Sequence, residues 1–253
     1  LKIVPVVPSP PGPGEPTTIV AEGMNNPFGM AAAGNGDVYV ADVGLSSILR
    51  IDAAGTTSTL LSGVHQPRDV VVDGFGDLLI ANGDEGVLRV TPSGERTTFA
   101  SSFFAVAITV DHAGDVWVGG RAVRGLEIRR YSPAGALISV VDVTEEMKAL
   151  VASGIAVSPT GDVYASNWRD GVFRVSGGSP TRVITAPVYC IWDLAFDADG
   201  YLYISNCMGQ VLLYDNAFQP VSTPFARANG GPLVFGRDAA GGIGDHEADR
   251  AVA

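Results

Sequence analysis

Two aspartates and three asparagines are the side chains whose types and positions best suit metal chemistry. Asp69 and Asp193 hold the same place in two similar segments, PRDVVVD and IWDLAFD, and Asn82, Asn167 and Asn206 each end a later apolar run. Carboxylate and amide oxygens are the ligands that Ca²⁺ prefers. Together these five residues could form an oxygen-lined site for Ca²⁺ or another divalent cation. The alternative is that each aspartate caps a nearby loop by accepting backbone N–H bonds, and we expect Asp69 and Asp193 to lie too far apart to share one ion.

Large aromatic and cationic side chains are expected near the same place. Trp and Arg at a concave surface are typical of binding hot spots. The alternative is that Phe103, Phe104 and Trp192 pack inside the fold. Phe28, Phe103 and Phe104 belong to this set, and the ligand-binding candidates that we select are His65, Arg68, Asp69, Trp168, Arg169, Tyr189, Trp192 and Asp193.

A second positive spot comes from Arg121 and Arg124, which could pair with Asp84 and Glu85 or with an anionic partner. Surface pairing of this kind would contribute little to stability.

Familiar catalytic motifs are missing from the sequence. It contains no G-x-S-x-G, P-loop, H-E-x-x-H or C-x-x-C motif. Of its three histidines, His65, His112 and His246, we place only His65 near the expected binding surface. We therefore predict no catalytic residue and lean toward a protein that is not an enzyme.

Six glycines in similar tight turns show how these residues are positioned. Each glycine lies between two apolar runs, and the successive spacings are 40, 38, 47, 39 and 41 residues. A period of about 40 residues is typical of a β-propeller with one four-stranded blade per repeat. The glycines are Gly36, Gly76, Gly114, Gly161, Gly200 and Gly241.

The second repeat shows the four strands most clearly. Runs rich in Val, Leu and Ile predict strands at 69–73, 77–81, 86–91 and 95–100. The last repeat lacks its own fourth strand, whereas residues 17–21 (TTIVA) resemble a fourth strand without a blade. We therefore predict an all-β, six-bladed propeller with four antiparallel strands per blade, closed by strand 17–21 joining the C-terminal blade.

One longer spacing predicts a short helix within residues 142–153. Thr144 can cap it, Glu145 and Glu146 suit its first turn, and Met147 begins an apolar side. The helix would be either a surface decoration or a partial lid over the channel.

The repeat phrase resembles the NHL repeat and the senescence-marker/gluconolactonase group of six-bladed propellers. The resemblance covers residues 17 to about 245, and residues 27–42, 67–82, 154–167 and 192–206 carry it. It implies a divalent-metal lactonase site formed by Glu and Asn/Asp side chains just before the first strand of each blade. The matching residues here are Phe28, Arg68, Val106, Ser153, Trp192 and Leu233, and none is Asn or Asp. The repeat phrase is also similar to that of streptogramin lyases, which implies a His and Glu cluster, and the sequence does not show that cluster.

Charge and composition exclude several partners. The net charge is −11, which disfavours nucleic acid and anionic membrane surfaces, and no apolar run approaches the 18 residues of a membrane span. Residues 1–16 read as a Pro-rich linker or tether, and residues 17–253 as the propeller. We expect an exported protein, at the cell surface, in a periplasm or outside the cell.

The two cysteines, Cys190 and Cys207, leave two alternatives. If Phe196 pairs with Tyr201, the cysteines face each other and a disulfide is feasible. If the turn has three residues with Gly200 in the left-handed region, they point to opposite faces. A disulfide would favour export.

The sequence thus favours a non-catalytic module that binds a protein, glycan or small ligand at the channel mouth. The first alternative is a metal-dependent, lactonase-like hydrolase or lyase with a shifted site around Asp69 and Asp193. The second is a structural subunit of a cell-surface assembly.

Overall fold

The computed structural model describes residues 23–123, 125–147, 152–169, 171–184, 190–208 and 210–221, and the short strand segments 226–227, 234–235 and 251–252. The N-terminal linker at 1–16 and the closing strand at 17–21 lie outside these residues. No helix among the described residues is long and apolar enough to cross a membrane.

Twenty strands form five antiparallel sheets of four, and each sheet is one blade of a propeller. Two residues of the fourth strand of the fifth blade are described. In chain order the strands are β1 Pro27–Ala32, β2 Val38–Asp42, β3 Ser47–Ile51, β4 Thr57–Ser62, β5 Asp69–Val72, β6 Leu78–Ala81, β7 Val87–Val90, β8 Arg96–Ala100, β9 Phe104–Val110, β10 Val116–Ala122, β11 Gly125–Tyr131, β12 Leu137–Asp142, β13 Ala152–Val157, β14 Val163–Asn167, β15 Gly171–Arg174, β16 Thr181–Ile184, β17 Ile191–Phe196, β18 Leu202–Asn206, β19 Gln210–Tyr214 and β20 Ala226–Arg227.

The first strand of each blade lies nearest the propeller axis. Strands β1, β5, β9, β13 and β17 contact one another in succession, whereas the fourth strands lie at the outer edges of their sheets. The turns between first and second strands contain the repeat glycines, and Gly36, Gly76, Gly114, Gly161 and Gly200 all have φ between 83° and 87°. The predicted positive-φ turns are therefore confirmed at these five positions.

The hydrophobic core lies between neighbouring blades. Blades three and four share one cluster in which Trp117, Phe173 and Met147 are at most 5% exposed. Each large side chain buried in this way stabilises the fold by about 1.5–3 kcal/mol. This packing fixes how neighbouring blades, and hence their first strands, are placed against each other.

The prediction of six blades is wrong for the described residues, which form five. The remaining strands, β21 Val234–Phe235 and β22 Ala251–Val252, form a two-stranded sheet, and β21 contacts both β17 and β1. Only these two short strands of the last repeat belong to the described residues.

The predicted short helix begins at Thr144, and its described part extends to Met147. Helix α1 is Thr144–Met147, residues 148–151 lie outside the description, and β13 begins at Ala152. Thr144 Oγ1 accepts a hydrogen bond from Leu126 N (3.0 Å), and Met147 is fully buried. The described part of the helix therefore packs against β11 and fills the space between blades three and four.

Candidate active site

Every described blade has an irregularity at the start of its first strand. In the fifth blade, Ile191 pairs with Asn206 and Asp193 with Ser205, so Trp192 is an extra residue. In the second blade, Arg68 N donates to Ala81 O (2.8 Å) while Asp69 also faces Ala81. Such β-bulges redirect side chains and are common next to active sites.

These bulges occur at the positions where the family resemblance would place metal ligands. Equivalent register shifts lie at Phe28 in the first blade, Val106 in the third and Ser153 in the fourth. The backbone therefore presents one side chain per blade at the same end of the propeller. The side chains presented are aromatic, cationic, aliphatic or hydroxylic, and none is a carboxylate or amide.

Six of the side chains near this end form a continuous cluster, which we call the mouth cluster. Neighbouring members lie between 5.1 and 5.7 Å apart, measured between ring centroids or from an Arg Cζ to a centroid. In contact order the members are Trp168, Trp192, Phe28, Arg68, Phe104 and Arg121. Trp168 is 48% exposed, whereas Phe28, Arg68, Phe104 and Trp192 are half-buried.

Arg68 is the central cation of the mouth cluster. Its Cζ lies 5.1 Å from the Phe28 ring and 5.6 Å from the Phe104 ring. Its Nη2 reaches Gln66 Oε1 at 3.5 Å, and its buried Nε has no hydrogen-bond partner. Burial lowers the pKa of Arg68 from its ordinary value. The guanidinium has therefore lost hydration without gaining a carboxylate among the described residues.

Asp69 and Asp193, each one residue after a bulge, form the inner part of the site. Asp69 Oδ1 accepts from its neighbour Val70 N (2.8 Å), and Asp193 Oδ1 accepts from Leu194 N (2.8 Å) in the same way. Asp69 Oδ2 also accepts from Ile108 N of the third blade (2.8 Å). Both aspartates therefore bond backbone groups, as the loop-capping alternative proposed, although from strands rather than loops.

Each aspartate lies against a glycine of the preceding blade. A Cβ atom at Gly29 would lie 2.8 Å from Asp69 Cγ, and one at Gly154 would lie 2.9 Å from Asp193 Cα. Such distances are not tolerated between real atoms, so only glycine leaves room for the carboxylates. The sequence signal was present, because these glycines and aspartates align in register, although we did not predict the contact.

The two carboxyl groups influence each other electrostatically. Loss of hydration is the largest cause that raises the pKa of Asp69 well above its ordinary value, and the negative charge of Asp193 raises it further. The two N–H groups that bond Asp69 act in the opposite direction. Asp69 keeps some accessible surface, but the surrounding protein and the second carboxylate still favour its neutral form. The two aspartates are thus near enough to interact electrostatically.

The three predicted asparagines have separate local roles. Asn82 Oδ1 accepts from Gln66 N and its Nδ2 donates to Glu85 Oε2. Asn167 Oδ1 accepts from Arg169 N, and Asn206 Oδ1 accepts from Gln210 N. Their oxygens thus bond the backbone of adjacent loops.

The other candidates are distributed around the same region. His65 is exposed and lies 3.3 Å from Asp84, Arg169 is exposed, and Tyr189 and Arg124 lie outside the described residues. Phe103 is 4% exposed beneath Arg129 and so packs inside the fold, as the alternative proposed. Sequence reasoning missed Arg121 as a stacking partner of Phe104.

The cysteines form a disulfide beside this site. Cys190 and Cys207 are bonded, with 5.4 Å between their Cα atoms. The turn itself follows the alternative that argued against the bond, because Phe196 pairs with Leu202 and Gly200 has φ 86°. The bulge at Trp192 then shifts the register by one residue and brings the cysteines face to face.

The residues present do not fit a divalent-metal centre of the kind that the resemblance implies. The bulge positions carry no carboxylate or amide, and the asparagine oxygens bond the backbone. No cluster of three or more His, Cys, Asp or Glu side chains suited to a metal occurs among the described residues. Asp69 and Asp193 remain the two carboxylates of the site.

Comparison with known proteins identifies the fold. No family model and no curated protein sequence matches the chain. Solved structures do match, and one is a gluconolactonase from Xanthomonas campestris, with a TM-score of 0.73 and 16% identity over 86% of this chain and 82% of that one. Another is a luciferin-regenerating enzyme, with a TM-score of 0.69 and 10% identity over 85% and 81%.

A third match is regucalcin, a calcium-binding protein from Agrobacterium tumefaciens, with a TM-score of 0.63 and 14% identity over 79% of this chain and 74% of that one. At these identities the likeness shows the fold alone, a β-propeller. Because two of the three are described as enzymes, the prediction of a non-catalytic binding module is wrong, and the hydrolase alternative agrees better with these comparisons.

Proposed function

We propose that the protein is a lactonase-like hydrolase that opens lactones or related small cyclic esters. The observation that carries this proposal is the pair of inner carboxyl groups, Asp69 and Asp193. Each lies against a glycine of the neighbouring blade and accepts backbone N–H bonds, and burial together with the charge of Asp193 raises the pKa of Asp69. One neutral and one ionised carboxyl group supply a general acid and a general base.

The chemistry assigns a different role to each aspartate. Asp193, as the carboxylate, takes a proton from water while the water oxygen bonds to the lactone carbonyl carbon. Asp69, which burial favours in its neutral form, donates its proton to the ring oxygen as the carbon–oxygen bond breaks. The product is one hydroxy acid, and the proton on Asp193 returns to Asp69 before the next cycle. Water and lactone are the only reactants, and no step passes through a metal ion.

Isosteric replacement of each carboxyl group tests this proposal. Asp69→Asn and Asp193→Asn should each lower kcat for lactone opening by about 10²–10⁴-fold, the usual contribution of a positioned acid or base. Asp199→Asn is the matched control, because Asp199 is an exposed aspartate in the turn after β17. Circular dichroism should show that all three variants fold. Unchanged kcat in either inner variant would overturn the proposal.

Two further expectations from the sequence remain proposals. The disulfide between Cys190 and Cys207 supports export, because disulfides persist in oxidising compartments. The contact of β21 with both β1 and β17 supports a ring completed by the C-terminal strands together with residues 17–21.

A further inference from the structure

We propose that the mouth cluster recognises a substrate with a carboxylate on a planar ring, and that Arg68 binds the carboxylate. This inference deepens the proposed hydrolase function and rests on it for the position of the reacting bond. Arg68 differs from the other half-buried arginines that stack on an aromatic ring.

Other half-buried arginines that stack on an aromatic ring also have a carboxylate. Arg89 stacks on Phe99 and pairs with Asp73 (3.2 Å), and Arg129 stacks on Phe103 and pairs with Glu127 (2.9 Å). Arg130 follows the same pattern, stacked on Trp117 and paired with Asp115 (2.7 Å). The fold thus repeatedly combines a ring face with an anion around a guanidinium.

Arg68 has the rings but lacks the anion. It stacks on Phe28 and Phe104, yet no Asp or Glu oxygen lies within 4.0 Å of it among the described residues. Its Nε is buried without a partner. A buried donor left without an acceptor is costly, and the cost is greater for a charged group. A ligand carboxylate would supply the acceptors that this guanidinium lacks.

The geometry of a guanidinium favours a carboxylate in particular. Its planar fork of N–H donors matches two carboxylate oxygens, and rings on its faces leave the donor edge available. The Arg68 Cζ lies 5.1 Å from the Phe28 ring centroid and 5.6 Å from that of Phe104. The chain has a net charge of −11, which repels anions in general. The positive charge of Arg68, which no nearby carboxylate neutralises, would therefore attract an anion to this end of the propeller.

The aromatic part of the mouth cluster accounts for the planar ring. Trp168 and Trp192 lie 5.6 Å apart, and Trp192 contacts Phe28 at 5.3 Å. Nearly half of the Trp168 surface is exposed, which gives a ligand ring a flat face to stack on. Arg68 directly precedes Asp69 in the sequence, and the proposed pose directs the reacting bond of the ligand toward the inner carboxyl groups.

Ligand binding without turnover tests the inference directly. Benzoate carries both features, benzamide lacks the charge, and cyclohexanecarboxylate lacks the planar ring. Two of the three tryptophans are in the mouth cluster, so ligand binding can be followed by their fluorescence. We expect benzoate to bind at least 10-fold more tightly than either of the other two compounds.

Substitution of Arg68 identifies the group responsible. Arg68→Gln should weaken benzoate binding at least 10-fold and leave benzamide binding unchanged. Arg68→Lys should weaken benzoate binding to an intermediate extent, because it keeps the positive charge but loses the planar fork of guanidinium N–H donors. Arg96→Gln is the control, an exposed arginine on β8 of the same blade that should bind benzoate like the unchanged protein. Arg68→Lys also keeps the test valid if Arg68→Gln fails to fold.

Equal affinity for benzoate and benzamide, or equal benzoate affinity in Arg68→Gln and Arg96→Gln, would overturn the inference. The outcome is separable from that of the proposed hydrolysis, because binding is measured with non-reacting compounds. Benzoate binding without lactone opening would reject only the proposed function. If the protein opens lactones but binds benzoate and benzamide equally tightly, only the role of Arg68 would be rejected.

Discussion

Asp69 is the residue in which burial, charge and geometry combine most clearly. Its carboxyl group accepts two backbone N–H bonds, which favour its ionised form, yet burial and Asp193 outweigh them and raise its pKa. A folded protein keeps such an unfavourable group only at a cost in stability. Perturbed titration of this kind is characteristic of functional sites.

The raised pKa of Asp69 predicts a particular dependence of stability on pH. The folded state binds the Asp69 proton more tightly than the unfolded chain, where the pKa is about 3.9. The free energy of unfolding should therefore fall as pH rises from that value toward the folded-state pKa, by up to about 1.4 kcal/mol per pH unit. Urea unfolding of the unchanged protein and of Asp69→Asn at several pH values isolates this contribution as their difference.

Asp199→Asn provides the matched control for these titrations, and its stability should follow that of the unchanged protein across the pH range. Parallel curves for the unchanged protein and Asp69→Asn would contradict the assigned pKa direction. A difference of opposite sign would show that the N–H bonds outweigh burial and repulsion.

At the scale of elements, the contact between neighbouring first strands controls the site. Gly29 on β1 lies against Asp69 on β5, and Gly154 on β13 lies against Asp193 on β17. The same glycine–aspartate contact thus occurs twice, between different pairs of blades. Because the glycine on one strand has no side chain, the carboxylate on the next strand has room to lie against it.

Adding a methyl group at this contact should be destabilising. Gly29→Ala should lower the free energy of unfolding by about 1–3 kcal/mol, because the new Cβ overlaps Asp69. Gly74→Ala is the control, since a Cβ there meets no atom within 4 Å and its backbone is not left-handed. It should be neutral or stabilise by about 0.4–1 kcal/mol. Similar denaturant midpoints for the two variants would show that the contact is not tight.

Regular elements could be predicted from the sequence, and their irregularities could not. In the second blade, the strands expected at 69–73 and 95–100 are found at Asp69–Val72 and Arg96–Ala100. Alternating apolar residues and turn glycines encode such elements locally. A bulge such as that at Trp192 depends on pairing between two strands, and it reversed the inference about the cysteines drawn from the turn. The contact of Gly29 with Asp69 likewise depends on packing between blades.

At the scale of the whole molecule, the propeller brings distant parts of the sequence to one end. Phe28 of the first blade contacts Trp192 of the fifth, and the charge of Asp193 acts on Asp69 of the second. The repeat predicted the propeller but not which first-strand residues would meet, because their distances depend on how the blades are arranged around the axis. This arrangement makes one site from residues that are more than 100 positions apart.

The pH dependence of lactone opening tests the central claim most directly. Acid release from a dihydrocoumarin that carries a carboxylate on its benzene ring, corrected for spontaneous hydrolysis in a pH-stat, gives kcat/KM at each pH. The account predicts a bell-shaped profile, because activity requires one proton on the Asp69–Asp193 pair. It also predicts that the double variant Asp69→Asn with Asp193→Asn falls to the spontaneous rate. Full activity in that variant, or no acceleration by the unchanged protein, would contradict it.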